Sequence, residues 1–129
     1  MFRKTIFSFF FLLIMLGGIC FSALAETFVE GLEDIPLMQG LTQLEDENIS
    51  FDVPEGAFKS IKLETKTLTQ KEILTFYEES LKNLGWRKTA KNTYERENLT
   101  LHESFEREGK KLLLIFELTT KSLTKQDKN

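Results

Sequence analysis

The run TQKEILTFYEESLKNLGW, from Thr69 to Trp86, decides the fold. Thr69 stands three residues before Glu72, the spacing of a capping box in which each side chain bonds the other residue's backbone N–H. Ile73, Phe76, Tyr77, Leu81 and Leu84 then fall on one helical stripe. Gly85 sits where a helix ends by turning left-handed. Trp86 follows where an apolar side chain folds back onto Leu81. The spacing predicts one amphipathic helix with a definite start and stop, and its apolar stripe needs a second layer to bury it.

Both flanks supply strands. Ahead of the helix, Ile49, Phe51 and Val53 alternate with Ser50 and Asp52, the period of a half-buried strand. Pro54-Glu55-Gly56 fits a type I turn into a second strand, Ala57 to Thr67. That strand changes parity between Phe58 and the set Ile61, Leu63 and Thr65, which a bulge near Lys59-Ser60 would reconcile. After the helix, turns at Ala90-Lys91-Asn92, Glu97-Asn98 and Glu108-Gly109 define four more short strands. They set Trp86 against Arg96, Lys88 against Tyr94 and Tyr94 against Leu101. They also set Leu99 against Leu118, Leu101 against Phe116, Phe105 against Leu112, and Glu106 against Lys111. Glu103 falls on the core face opposite Leu114, so either it sits at a margin or the register differs there. The expected architecture over residues 48–120 is an α+β two-layer sandwich. Its antiparallel sheet has about six strands, in the chain order β-β-α-β-β-β-β, with one helix on one face. Phe51, Phe58, Phe76, Phe105 and Phe116 all belong to its expected core.

Leu112 to Phe116 is apolar on both faces, so Leu113 and Ile115 project away from the helix, beside His102 and Ser104. Leu113, Ile115 and His102 form a candidate interaction face, unless something within the chain covers it. Residues 26–47 have neither strand nor helix period, and Pro36 holds Ile35 extended. They read as an acidic extended arm that docks through Ile35, Leu37, Met38 and Leu41. The second sheet face is its favoured destination; another subunit or protein is the alternative cover. Residues 121–129 read as a flexible polar tail.

Phe76-Tyr77, Leu81 and Leu84-Gly85-Trp86, followed by short strands, resemble a family of small exported bacterial envelope proteins. In that family a helix ending Leu-Gly-Trp belongs to a helix-grip-like α+β domain. Glu33-Asp34-Ile35-Pro36-Leu37-Met38 with Gly40-Leu41 resembles a leader motif in uncharacterised proteins of the same kind. The resemblance implies a structural or accessory role in the envelope and brings no catalytic residues with it.

Of twelve Phe in 129 residues, six lie in the first 25. Arg3 and Lys4, the apolar run Ile6 to Leu16 and the small-residue site Ala23-Leu24-Ala25 make the three parts of a secretory signal peptide, cut before Glu26. An uncleaved anchor and a lipoprotein processed at Cys20 are the alternatives. Without residues 1–25 the chain has 20 acidic and 15 basic side chains, a net −5. Residues 26–58 contribute nine acidic and no basic ones, whereas 59–129 carry 11 and 15. A net acidic chain is poorly suited to nucleic acid, so the asymmetry points inward, to an acidic leader beside a mildly basic domain. No second segment reaches membrane-spanning length.

Catalytic and metal chemistry find little support. His102 is the lone His and no Cys follows Cys20, too few ligands for a zinc site. Glu45-Asp46-Glu47 lacks the alternation and glycine of a calcium loop. Ser60 and Ser104 lie in no nucleophile motif. Asn48-Ile49-Ser50 and Asn98-Leu99-Thr100 match the glycosylation acceptor pattern, which is discounted for a bacterial chain. No cofactor is expected. The expected function is a non-enzymatic accessory or protein-interaction module of the bacterial envelope, whose partner is another envelope protein or a second copy. The alternative is a binder of a small apolar ligand or lipid held between helix and sheet. Mass spectrometry of the exported protein should give Glu26 as its first residue; a retained leader or a lipid on Cys20 would overturn the cleavage assignment.

Overall fold

In the computed structural model, which describes residues 27–32 and 34–121, the capping box is formed in full. The Thr69 hydroxyl accepts from the Glu72 N–H at 3.2 Å, and the Glu72 carboxylate accepts from the Thr69 N–H at 2.8 Å. Helix α1 (Gln70–Asn83) buries Ile73, Tyr77 and Leu81, worth roughly 1.5–3 kcal/mol each in transfer from water. Its end is a Schellman stop. The Trp86 N–H donates to the Leu81 carbonyl at 2.9 Å and the Gly85 N–H to that of Lys82 at 3.2 Å, with Gly85 at φ +88°. The expected signal peptide with its expected cleavage after Ala25, Cys20, and the tail from residue 122 lie outside the described residues. Lys121, assigned to that tail from the sequence, ends the last strand.

Seven antiparallel strands make the other layer: β1 (Thr42–Gln43), β2 (Ile49–Val53), β3 (Gly56–Thr65), β4 (Arg87–Ala90), β5 (Thr93–Arg96), β6 (Leu99–Glu108) and β7 (Lys111–Lys121). Their spatial order is β1-β3-β7-β6-β5-β4, with β2 also paired to β3. Helix α1 carries the chain from β3 to the far edge at β4, and a meander returns it to β3 through β7. Among the described residues this is the α+β arrangement with a single α-helix. The two-residue β1 brings the count to seven. Ile61, Leu63, Leu101, Leu112, Leu114 and Phe116 form the floor under α1, with the Tyr77 ring edge-on to Phe116 at 5.0 Å. Among the described residues no helix is long and apolar enough to cross a membrane.

The turn between β6 and β7 is Gly109-Lys110, because Glu108 pairs with Lys111. The register is therefore two residues from the expected one. Leu99 faces Thr120, Leu101 faces Leu118, Glu103 faces Phe116, Phe105 faces Leu114, and Glu106 faces Leu113 rather than Lys111. A slip of two preserves which face each side chain takes, so Glu103 remains on the core side. It is fully buried there, not marginal. Lys88 does pair with Tyr94, but the turn is the two residues Lys91-Asn92, with an irregularity between Lys88 and Ala90 taking up the difference.

β3 has no bulge: its pairing to both β2 and β7 runs without a shift. Its change of parity instead sends Phe58 to the outer face while Ile61, Leu63 and Thr65 face α1. Phe51 pairs with Phe58, so Ile49, Phe51 and Val53 are outward as well. Alternation shows that the three share a face; the pairing with β3 decides which face. The core thus contains Phe76, Phe105 and Phe116 but neither Phe51 nor Phe58.

The leader is a folded loop, not an extended arm. The Val29 N–H donates to the Ile35 carbonyl at 2.8 Å, the Leu37 N–H donates to that of Thr27 at 2.7 Å, and Phe28 bridges Pro36. It turns back on itself and then leads through β1 into a 3-10 turn at Glu45–Glu47.

Gly56, at φ +151°, passes so close to β7 that a Cβ there would fall 1.8 Å from the Thr120 carbonyl oxygen. A Cβ at Gly85 would meet nothing nearer than Arg96 Cδ at 3.8 Å. Gly85→Ala should therefore cost only the conformational penalty, about 1 kcal/mol, whereas Gly56→Ala should cost several times more. Urea unfolding of the two variants checks this, and equal midpoints would contradict it.

Candidate functional site

The leader loop docks on the helix side of the sheet. Val29, Leu32, Ile35 and Leu41 are buried in one cluster with Tyr77 and Trp86, and Leu37 and Met38 pack against it. The Tyr77 hydroxyl donates to the Pro36 carbonyl at 2.9 Å and accepts from the Met38 N–H at 3.2 Å. Asp34 holds Arg96 through both carboxylate oxygens, at 2.6 and 3.3 Å, and the guanidinium also donates to the Leu84 carbonyl at 3.0 Å. That guanidinium lies 4.6 Å over the Trp86 ring, within cation–π range. Asp34–Arg96 and Glu47–Lys62 both join the acidic leader segment to the more basic domain. Between the loop and Trp86, Leu99 and Leu118 remains a cavity of about 150 Å³.

Deeper on the same face is Glu103, 0% exposed, with neither carboxylate oxygen hydrogen-bonded among the described residues. The Trp86 indole N–H is likewise buried without a partner. Burial pushes the Glu103 carboxyl up from 4.5 to about 8; Lys88 partly offsets this and Glu78 adds to it. Lys88 is 3.4 Å from Glu78, so its charge is shared. Burial, then Glu103 and Glu78, pushes the Tyr94 phenol up to about 12. Burial raises Tyr77 too, against the opposing effect of the Met38 N–H. At neutral pH the cluster is uncharged at Glu103, Tyr77 and Tyr94. It offers a carboxylic proton donor and no ready base.

The outer face differs from the expected interaction surface. Leu113 and Ile115 are buried, but not by the apolar part of the leader, whose Val29, Leu32, Ile35 and Leu41 lie across the sheet from them. In register Leu113 sits between Glu64 and Glu106, and Ile115 between Lys62 and Ser104. The ion pairs Lys111–Glu64 and Lys62–Glu47, each at 3.2 Å, span the same ground. Long charged side chains can cover apolar neighbours with their carbon stems, and the register sets Lys62 and Glu64 beside these two residues. His102 is half-buried, its Nδ1 3.0 Å from the Thr93 hydroxyl, opposite Glu117 in register.

Exposed apolar surface lies instead at the edge of the sheet. Ile49, Phe51 and Val53 are 54, 49 and 44% exposed, and Phe51 stacks on Phe58 with ring centroids 5.0 Å apart. The structure therefore separates the expected site residues into two groups. Ile35, Leu37, Met38 and Leu41 gather around Tyr77, while Leu113, Ile115 and His102 line an outer face that charged side chains close. Two features that sequence reasoning passed over are the Tyr77 hydroxyl and the Asp34–Arg96 pair. A Tyr on an apolar stripe, with a polar tip that needs a partner, was the available signal for the first. For the second there was only the charge asymmetry.

Among the described residues no group of three or more His, Cys, Asp or Glu side chains could hold a metal ion. The buried carboxyl yields a pH dependence. The folded protein keeps a proton on Glu103 that the unfolded chain releases, so this contribution to stability is full below about 4.5 and lost by about 8. Urea midpoints should fall as pH rises through that window, by up to about 1.4 kcal/mol per unit. Glu103→Gln should flatten the profile; an unchanged slope in that variant would assign it elsewhere. Compared with known protein families, with curated proteins and with solved structures, the chain matches none.

Proposed function

We propose that this chain is an exported, non-enzymatic accessory module of the bacterial cell envelope, and that it works by binding another protein through the outer surface of β2. One observation carries the binding surface: Ile49, Phe51 and Val53 are about half exposed on one side of a strand, next to the Phe51–Phe58 stack. Leaving three large apolar side chains in water forgoes stabilisation that a small domain ordinarily takes, and such a patch marks a contact surface. The leader with Ala23-Leu24-Ala25 supports export. Binding of a small apolar ligand between helix and sheet has less support. The pocket between helix and sheet, about 300 Å³, is lined by Glu78, Lys82, Arg87 and Lys88 around Trp86 and Tyr94, a more charged lining than the mostly apolar one of ordinary ligand pockets.

A photo-crosslinking amino acid at position 51 in the producing cell should give discrete adducts of higher mass. The same group at the exposed turn residue Lys91 should give none. Adducts from both positions, or from neither, would remove β2 as the contact surface.

A further inference from the structure

We infer that β2 takes up an extended segment of the partner as an additional antiparallel or parallel strand, and that this segment alternates apolar with basic residues. The inference rests on the interaction reading above and specifies how the partner binds and by what chemistry.

The two edges of the sheet are unlike. At the far edge, β4 carries Arg87 and Lys88, and its ladder is broken by the irregularity between Lys88 and Ala90. Charged side chains and broken regularity are the devices that stop an edge from recruiting another strand. β2, with the sequence Ile49-Ser50-Phe51-Asp52-Val53, has no Lys, no Arg, no Pro and no break in its register, and Asp52 is its one charged residue. Among the described residues its only strand neighbour is β3. In a paired strand, alternate residues direct their N–H and C=O groups to opposite sides. The outward set on β2 therefore lacks a strand partner. A segment added there would place every second side chain beside Ile49, Phe51 and Val53 on the outer face.

Charge selects the occupant. Glu45, Asp46, Glu47, Asp52 and Glu55 are all exposed around this edge, and no basic residue occurs from 26 to 58. The first basic residue beyond, Lys59, donates to the Gly31 carbonyl at 3.2 Å, and Lys62 is paired with Glu47. The edge is thus apolar on one face and acidic around it, which suits basic side chains on the incoming segment. A second copy of the chain fits badly. Antiparallel self-pairing that keeps the apolar set on one face, when centred on Asp52, sets Asp52 against itself. Centred on Phe51 or Ser50 it draws the acidic turn at Glu45–Glu47, which precedes β2, toward the one at Glu55, which follows it. Like charges placed opposite each other are destabilising.

The test uses the purified exported protein and two eight-residue peptides, one alternating Lys with Val and Phe, the other identical but with Glu for Lys. At low salt the basic peptide should bind about tenfold tighter, the sum of two or three exposed charge pairs. It should slow amide exchange across Ile49–Val53 and leave Arg87–Ala90 unchanged. The double variant Asp52→Lys, Glu55→Lys, both at exposed positions, should reverse the preference. Equal affinities, or protection at β4, would overturn strand addition at β2. So would peptide-free self-association in analytical ultracentrifugation that Phe51→Lys abolishes, which would make a second copy the occupant. Crosslinks from position 51 with no discrimination between peptides would leave the interaction reading standing and refute only the strand mechanism. No crosslinks and no protection would refute both.

Discussion

The hydroxyl of Tyr77 ties the leader, the helix and the sheet together. Its ring lies in the middle of the buried stripe of α1, edge-on to Phe116 below and to Phe76 beside it. Its oxygen takes the Met38 N–H and gives its proton to the Pro36 carbonyl. A buried donor or acceptor left unmatched costs about 1–3 kcal/mol, so the oxygen fixes the position of the loop more strictly than the apolar contacts can. Hydrophobic burial alone would let Ile35 and Leu41 settle in several ways; the two hydrogen bonds select one. The Asp34–Arg96 pair adds a second fixed point, and Arg96 in turn roofs Trp86.

The helix was legible in full because its signals are local. Thr69, Glu72, Gly85 and Trp86 specify its ends through bonds that span no more than five residues. The meander was legible in its faces, and in register where Lys88 meets Tyr94 and Tyr94 meets Leu101, but not in the register of β6 against β7. A turn at Glu108-Gly109 and one at Gly109-Lys110 differ by a slip of two, and a period of two cannot tell them apart. The placement of Phe51 and Phe58 was not legible, since it depends on which residues of β3 and β2 meet. The destination of the leader failed for a related reason. Leu113 and Ile115 looked uncovered in the sequence, whereas Lys62, Glu64 and Glu106 reach them from neighbouring strands that only the assembled sheet brings alongside. Glu103 was recognisable as an anomaly on the core face, and it stayed one.

Charge is distributed to match this division of faces. On the helix side burial favours the protonated form of Glu103, and Asp34–Arg96 clamps the leader. On the outer side charged stems shield the centre of the sheet, and the shielding stops at β2. A protein that was merely sparing with charge would not place Lys62, Glu64, Glu106 and Lys111 over Leu113 and Ile115 while leaving Phe51 bare. The contrast between a screened centre and an unscreened margin is what gives the margin its significance.

The sheet order has a consequence for how the chain reaches this state. Strands β4 to β7 pair with neighbours in sequence, and so do β2 and β3, but the ladder between β3 and β7 joins segments as far apart as Gly56 and Lys121. That ladder closes the floor beneath Tyr77, and it cannot form until β7 has been synthesised. Before that moment the floor under α1 lacks Leu112, Leu114 and Phe116, and nothing joins β3 to β6. The loop-closure entropy of that one long-range pairing delays completion of the core until the last strand is in place.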